Sequence, residues 1–171
     1  MILRSSRPST PGELGRQGAR IFAYIVCVNE YKRSKWNLTG CVNDGDKIAG
    51  FLREKLFVPP EQITRLTNGD ATHDGIMSLL RTVSSTANTS IREGDTIVFF
   101  YAGHGGRTKS PPKWKTDDGL IEMILPHDVD TTRPDSTQVY GIPDFVLLGA
   151  LGGLATPQRG VNVVCLLLID Q

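Results

Sequence analysis

The sequence predicts an α/β fold with a mainly parallel sheet covered by helices on both faces. Three observations predict it. Residues 21–28 (IFAYIVCV), 97–101 (IVFFY) and 163–169 (VVCLLLI) are apolar runs without polar alternation, the pattern of strands buried on two sides. Helical periods lie between them. Ile48, Phe51, Leu52 and Leu56 form one stripe, and Ile76, Leu79, Leu80 and Val83 another. Strands that alternate with helices in this way build parallel sheets.

The elements follow in order. Residues 1–20 hold four arginines, two prolines, three glycines and one acid. They cannot bury enough apolar surface to order themselves, so a disordered basic tail is expected; a transit peptide is the other reading. Residues 21–28 form the first strand and residues 29–40 a polar loop. Asn43 or Asp44 is expected to cap the first helix, which Pro59-Pro60 ends. A short strand covers 62–66. Thr72 caps the second helix. Residues 95–102 form the next buried strand, after which the chain turns through Ala102-Gly103-His104-Gly105-Gly106. A polar loop (107–118), a short strand (120–125) and a turn-rich loop (126–138) follow. Pro143 suits the first position of a third helix ending at Gly152-Gly153. Residues 162–169 form the last buried strand.

Bulk properties narrow the function. The 171 residues fit one domain, with ordinary proportions of apolar (39%) and charged (22%) residues. A net charge of +1 implies neither a nucleic-acid nor a membrane partner. The longest apolar run, residues 21–28, has eight residues, far short of a membrane span. Three cysteines, Cys27, Cys41 and Cys165, argue against a disulfide framework and for a reducing, cytoplasmic location. Cys27 and Cys165 read as small buried hydrophobes, and Cys41 as a loop residue. No zinc-type spacing is present.

The candidate chemistry centres on His104. A buried strand delivers it, flanked by glycines, to the edge where parallel sheets bind ligands. Imidazole suits proton transfer near neutral pH, and glycines let other backbone approach it. The competing reading is a satisfied histidine in a glycine turn. His73 is expected to face solvent at a helix start, and His127 to be structural. Asp117 and Asp118 read as a solvated acidic pair, and Trp114 as loop packing.

Five blocks in order then resemble the caspase-like cysteine peptidases, in particular the metacaspase branch and its fungal relatives. They are IFAYIVCVNEY; Leu38-Thr39-Gly40-Cys41-Val42-Asn43-Asp44; Tyr101-Ala102-Gly103-His104-Gly105; Asp117-Asp118-Gly119 with Glu122-Met123-Ile124-Leu125-Pro126-His127-Asp128; and VVCLLLID. The resemblance implies a caspase-like three-layer sandwich over residues 21–171, lacking the family's C-terminal small-subunit strands. It also implies a cysteine-type endopeptidase in which His104 works with a cysteine nucleophile and Gly105 supplies an oxyanion N–H. Asp44 and Asp170 match a two-aspartate pocket for a substrate arginine or lysine, a fit that also suits the planar guanidinium fork; a helix cap is the other reading of Asp44. The family's nucleophile stands two residues past the aspartate matched by Asp170, one position beyond Gln171, and none of the three cysteines replaces it. The chain by itself is therefore expected to be inactive. A catalytically dead interaction module is the alternative, and a bare sheet edge would favour self-association. Isoleucine at position 121, and the sparse acids of Gly141-Ile142-Pro143-Asp144, leave no calcium site of the family type, so no metal and no cofactor are expected. The family setting implied is regulated cell death or protein quality control.

Overall fold

The computed structural model describes residues 20–85, 90–110, 116, 118–130, 132, 138–156 and 160–170. Nearly all of the expected tail, Trp114, Asp117 and Gln171 lie outside the described residues.

Six strands share one sheet: β1 (Ile21–Cys27), β2 (Ile63–Thr67), β3 (Thr96–Lys109), β4 (Leu120–Ile124), β5 (Ile142–Pro143) and β6 (Asn162–Asp170). The path runs β2-β1-β3-β4-β5, with β6 pairing β3 on its other side. β1, β2, β3 and β6 pair in parallel, whereas β4 and β5 are antiparallel. Helix α1 (Cys41–Lys55) covers one face, with Ala49 and Leu52 packed on Ala23, Ile25, Cys27, Phe100 and Ala102. Helices α2 (His73–Ser84) and α3 (Asp144–Gly152) cover the other, with Ile76, Leu80, Leu147 and Leu151 packed around Val26, Ile97, Phe99 and Tyr101. This is the expected three-layer α/β class. Among the described residues no helix is long and apolar enough to cross a membrane.

Several elements depart from the expectation, each for a physical reason. β3 does not turn after Ala102. It continues for 14 residues, through His104, because residues 105–109 leave the parallel sheet and pair antiparallel with β4. Asp44 does not cap α1. Gly40, at φ +108°, is the cap residue, and the Asp44 N–H already donates to Gly40 O at 2.8 Å inside the first turn. The buried stripe of α1 is Gly45, Ala49 and Leu52, while Phe51 is 54% exposed. Small residues set that face: a Cβ on Gly45 would collide with Cys27 Sγ, so the helix lies close against β1. α1 also stops at Lys55, before the prolines, where Phe57 adopts a left-handed φ of +56°. Pro143 precedes α3 as its cap residue rather than opening it.

The largest departure concerns β6. It was expected to be buried, yet Val164, Leu166, Leu167, Leu168 and Ile169 are all exposed hydrophobics, and Cys165 is exposed with them. Among the described residues β6 pairs β3 on one side only and forms the sheet edge. Apolar composition encodes the need for cover but does not supply it.

The Thr72 cap is as expected, its Oγ1 accepting the Gly75 N–H at 3.1 Å.

Candidate active site

The site forms where β3 changes partners. The register pairs Phe100 with Leu166, Ala102 with Leu168 and His104 with Asp170. Alternate residues share a face, so His104 and Asp170 continue the face that packs on α1 and emerge together at the C-terminal rim of the parallel strands. His104 Nδ1 lies 3.2 Å from Asp170 O, and Nε2 lies 2.9 Å from Trp36 O. A neutral imidazole carries one N–H and satisfies one of these carbonyls, whereas an imidazolium satisfies both.

The β1–α1 loop and the start of α1 close the other side of the rim. The Cys41 thiol is pushed up by burial first, then by the Asp170 carboxylate, and further by Asp44. Both carboxylates thus act on one thiol at the α1 N-terminus. Asp44 is partly exposed and pairs with Lys47 Nζ at 3.2 Å.

None of the chain's thiols is poised as a nucleophile. Burial pushes Cys27 up to about 12, raises Cys41 and raises Cys165. A thiolate, not a thiol, attacks a carbonyl. Cys41 occupies the first position of α1 rather than a loop, and Cys27 is fully buried.

Gly105, the residue expected to supply an oxyanion N–H, packs closely against β6. A Cβ there would lie 2.5 Å from Ile169 Cγ2. A cavity of about 510 Å³, lined by Arg107, Glu122, Asp144, Leu147, Leu167 and Ile169, sits on the opposite, α3-bearing face of the sheet. Leu167 and Ile169 alternate with the residues that share the His104 face, so this cavity opens on the other face of the sheet, where Gly105, the neighbour of His104, also lines it.

Three groups that sequence reasoning did not assign touch His104: the Trp36 carbonyl and the hydroxyls of Tyr31 and Tyr101. Tyr31 Oη accepts the His104 N–H at 2.8 Å, and Tyr101 Oη lies 2.8 Å from His104 O. The glycine before the histidine was the legible signal, since its missing side chain leaves room for both phenols.

The other histidines lie elsewhere. His73 opens α2, its N–H donating to Asp128 Oδ1 at 2.8 Å. His127 sits in a backbone junction, its N–H donating to Ala71 O and its carbonyl accepting from Lys32 N–H, each at 2.9 Å. Asp118 caps the turn into β4, accepting the Leu120 N–H at 3.0 Å. Among the described residues no group of three or more His, Cys, Asp or Glu is arranged to hold a metal ion.

Comparison with known proteins adds to the geometry. The caspase domain family matches residues 20–137. Metacaspase-1 of Arabidopsis thaliana is 30% identical over 125 residues, covering 71% of this chain and 33% of that protein. Metacaspase-1 of Candida glabrata is 30% identical over 138 residues, covering 75% and 34%. Metacaspase-1 of Cryptococcus neoformans is 29% identical over 140 residues, covering 72% and 29%. The chain spans about a third of the length of these curated relatives.

Proposed function

This chain belongs to the caspase-domain family of cysteine peptidases, with metacaspases among its relatives, and on that premise we propose that it is the large-subunit portion of an endopeptidase that cleaves after arginine or lysine. The observation that carries the reading is the in-register pairing of His104 with Asp170 on one rim.

In this reading the nucleophile stands at the second position past Asp170. Its thiolate attacks the scissile carbonyl, forming the carbon–sulfur bond of a tetrahedral intermediate. The Gly105 N–H stabilises the developing oxyanion. The intermediate collapses as the carbon–nitrogen bond breaks, and the His104 imidazolium gives its proton to the leaving amine. Water then attacks the acyl-enzyme with His104 as base, releasing the acid and restoring the thiol. Asp44 and Asp170 receive the substrate's basic side chain, and both already act on the thiol of Cys41. Residues 1–171 hold no cysteine at the nucleophile position, so they do not turn over substrate unaided. Loss of the nucleophile in a comparable hydrolase costs on the order of a million-fold in turnover. The three unpaired thiols support a reducing, cytoplasmic setting.

A second reading, an inactive caspase-homologous module that binds other chains, is favoured by one observation: the exposed apolar edge strand β6.

The test is peptide hydrolysis by the protein expressed from its whole open reading frame, with residues 1–171 alone as the comparison. Cleavage after Arg or Lys by the former and none by the latter is expected. Preference for Asp would refute the pocket assignment, and inactivity of both would favour the binding module.

A further inference from the structure

The hydroxyls of Tyr31 and Tyr101 meet over the glycine that precedes His104. A Cβ on Gly103 would lie 2.5 Å from Tyr101 Oη and 2.9 Å from Tyr31 Oη. Both phenols are almost fully buried, at 4% and 0% exposure. A buried hydroxyl is unfavourable unless it is bonded, so each must be explained by its partners.

Those partners are the backbone of His104 and the Leu125 carbonyl, to which the Tyr31 hydroxyl donates at 3.5 Å. β1 ends opposite Ala102, whose carbonyl accepts the Val28 N–H at 2.9 Å. His104 has the same parity, so its N–H and C=O also point toward that side, where β1 has ended and β4 pairs only from Gly105 onward. Tyr31 Oη fills the acceptor's place, taking the His104 N–H at 2.8 Å. The Leu125 N–H donates to His104 O at 3.0 Å, and the single proton of Tyr101 Oη faces both His104 O (2.8 Å) and Leu125 O (2.9 Å). The Tyr31 ring also lies against the imidazole, with centroids 5.1 Å apart at 43°. Tyr31 is anchored in turn, its N–H donating to Asn37 Oδ1 at 2.9 Å in the loop that brings Trp36 O to Nε2.

We propose that Tyr31 is a positioning residue: its hydroxyl holds the His104 backbone and its ring sets the imidazole between the carbonyls of Trp36 and Asp170, with Tyr101 supporting the same peptide. The inference rests on the reading that His104 moves the proton in peptide hydrolysis.

The test uses nuclear magnetic resonance on residues 1–171, comparing the parent with Tyr31→Phe, which keeps the ring and removes the hydroxyl. The His104 amide should exchange about tenfold faster relative to the Ala102 amide, the loss of one buried hydrogen bond. The imidazole ¹⁵N shifts should move toward the averaged values of a free histidine. Unchanged imidazole shifts, with His104 exchange moving only in step with Ala102, would overturn the proposal. If Tyr31→Phe fails to fold, Asn37→Ala releases the Tyr31 anchor and must give the same two changes. In the whole-reading-frame protein, Tyr31→Phe should lower kcat about tenfold with KM little changed. Since the resonance measurement needs no turnover, an inactive parent protein would count against the peptidase reading and leave the positioning role to be judged by the spectra.

Discussion

Cys27 shows how burial sets reactivity at single residues. Its thiol is fully buried and pushed up to about 12, chiefly by desolvation. At pH 8 an alkylating reagent should therefore modify Cys165 and Cys41 well before Cys27, read by mass spectrometry of the labelled peptides. The same shift links to stability. The folded state keeps the Cys27 proton, while the unfolded thiol releases it in the ordinary thiol range, about pH 8.5. The contribution is complete below that range and is lost as pH rises toward about 12. Tyr24, Tyr31 and Tyr101, also raised by burial, add losses of the same sign at higher pH. The Tm of Cys27→Ala should thus fall less steeply between pH 9 and 11 than that of the parent; parallel slopes would contradict the assignment. Site residues differed in legibility. His104 was readable because glycines flank it at the end of an apolar run. Its support from Tyr31 and the Trp36 carbonyl was not, since a backbone oxygen has no sequence signature and Tyr31 is separated from His104 by 73 positions.

Elements were legible where one local interaction dominates. α2 combines a side-chain cap with a large apolar face, and its stripe of Ile76, Leu80 and Val83 is buried as its period implies. Thr72→Ala should cost about 1 kcal/mol in chemical denaturation. α1 was misread because its contact face uses Gly45 and Ala49, which periodicity of large residues does not weigh. The continuation of β3 past His104 depends on β4, a pairing no local pattern in residues 102–106 announces. The start of β3 depends on Asp95, buried at 3% exposure. Its carboxylate accepts the Arg92 N–H at 2.6 Å and pairs with Arg20 Nη2 at 3.3 Å, while its carbonyl accepts the Asn162 N–H at 2.8 Å. Asp95→Ala should cost about 1–3 kcal/mol by removing the carboxylate that the Arg92 N–H and Arg20 share, the backbone bond to Asn162 remaining. A change of only a few tenths would mean that the first residues of β1 and β3 hold without it.

At the scale of the whole molecule, the parallel α/β class was legible from three apolar runs and two amphipathic periods, because those patterns report burial directly. Exposure of β6 was not, since a strand's composition records which surface must be covered and not what covers it. Among the described residues the outer side of β6 has no partner strand, and its nine residues, with exposed Val164, Leu166, Leu167, Leu168 and Ile169, form a template for pairing with another chain. Residues 1–171 should therefore self-associate with rising concentration in sedimentation, and Leu168→Lys should reduce that association; a clean monomer at high concentration would remove the expectation. The joint rim of His104 and Asp170 is a claim about the fold as a whole, since 66 residues separate the two groups in sequence. The measurement that addresses it most directly is mass mapping of an arginyl affinity label, a thiol-reactive peptide ketone, on the whole-reading-frame protein. The label should attach to a cysteine two positions past Asp170, and His104→Ala should abolish attachment. Attachment to Cys27, Cys41 or Cys165, or labelling that survives the loss of His104, would contradict a thiol-attack site at that rim.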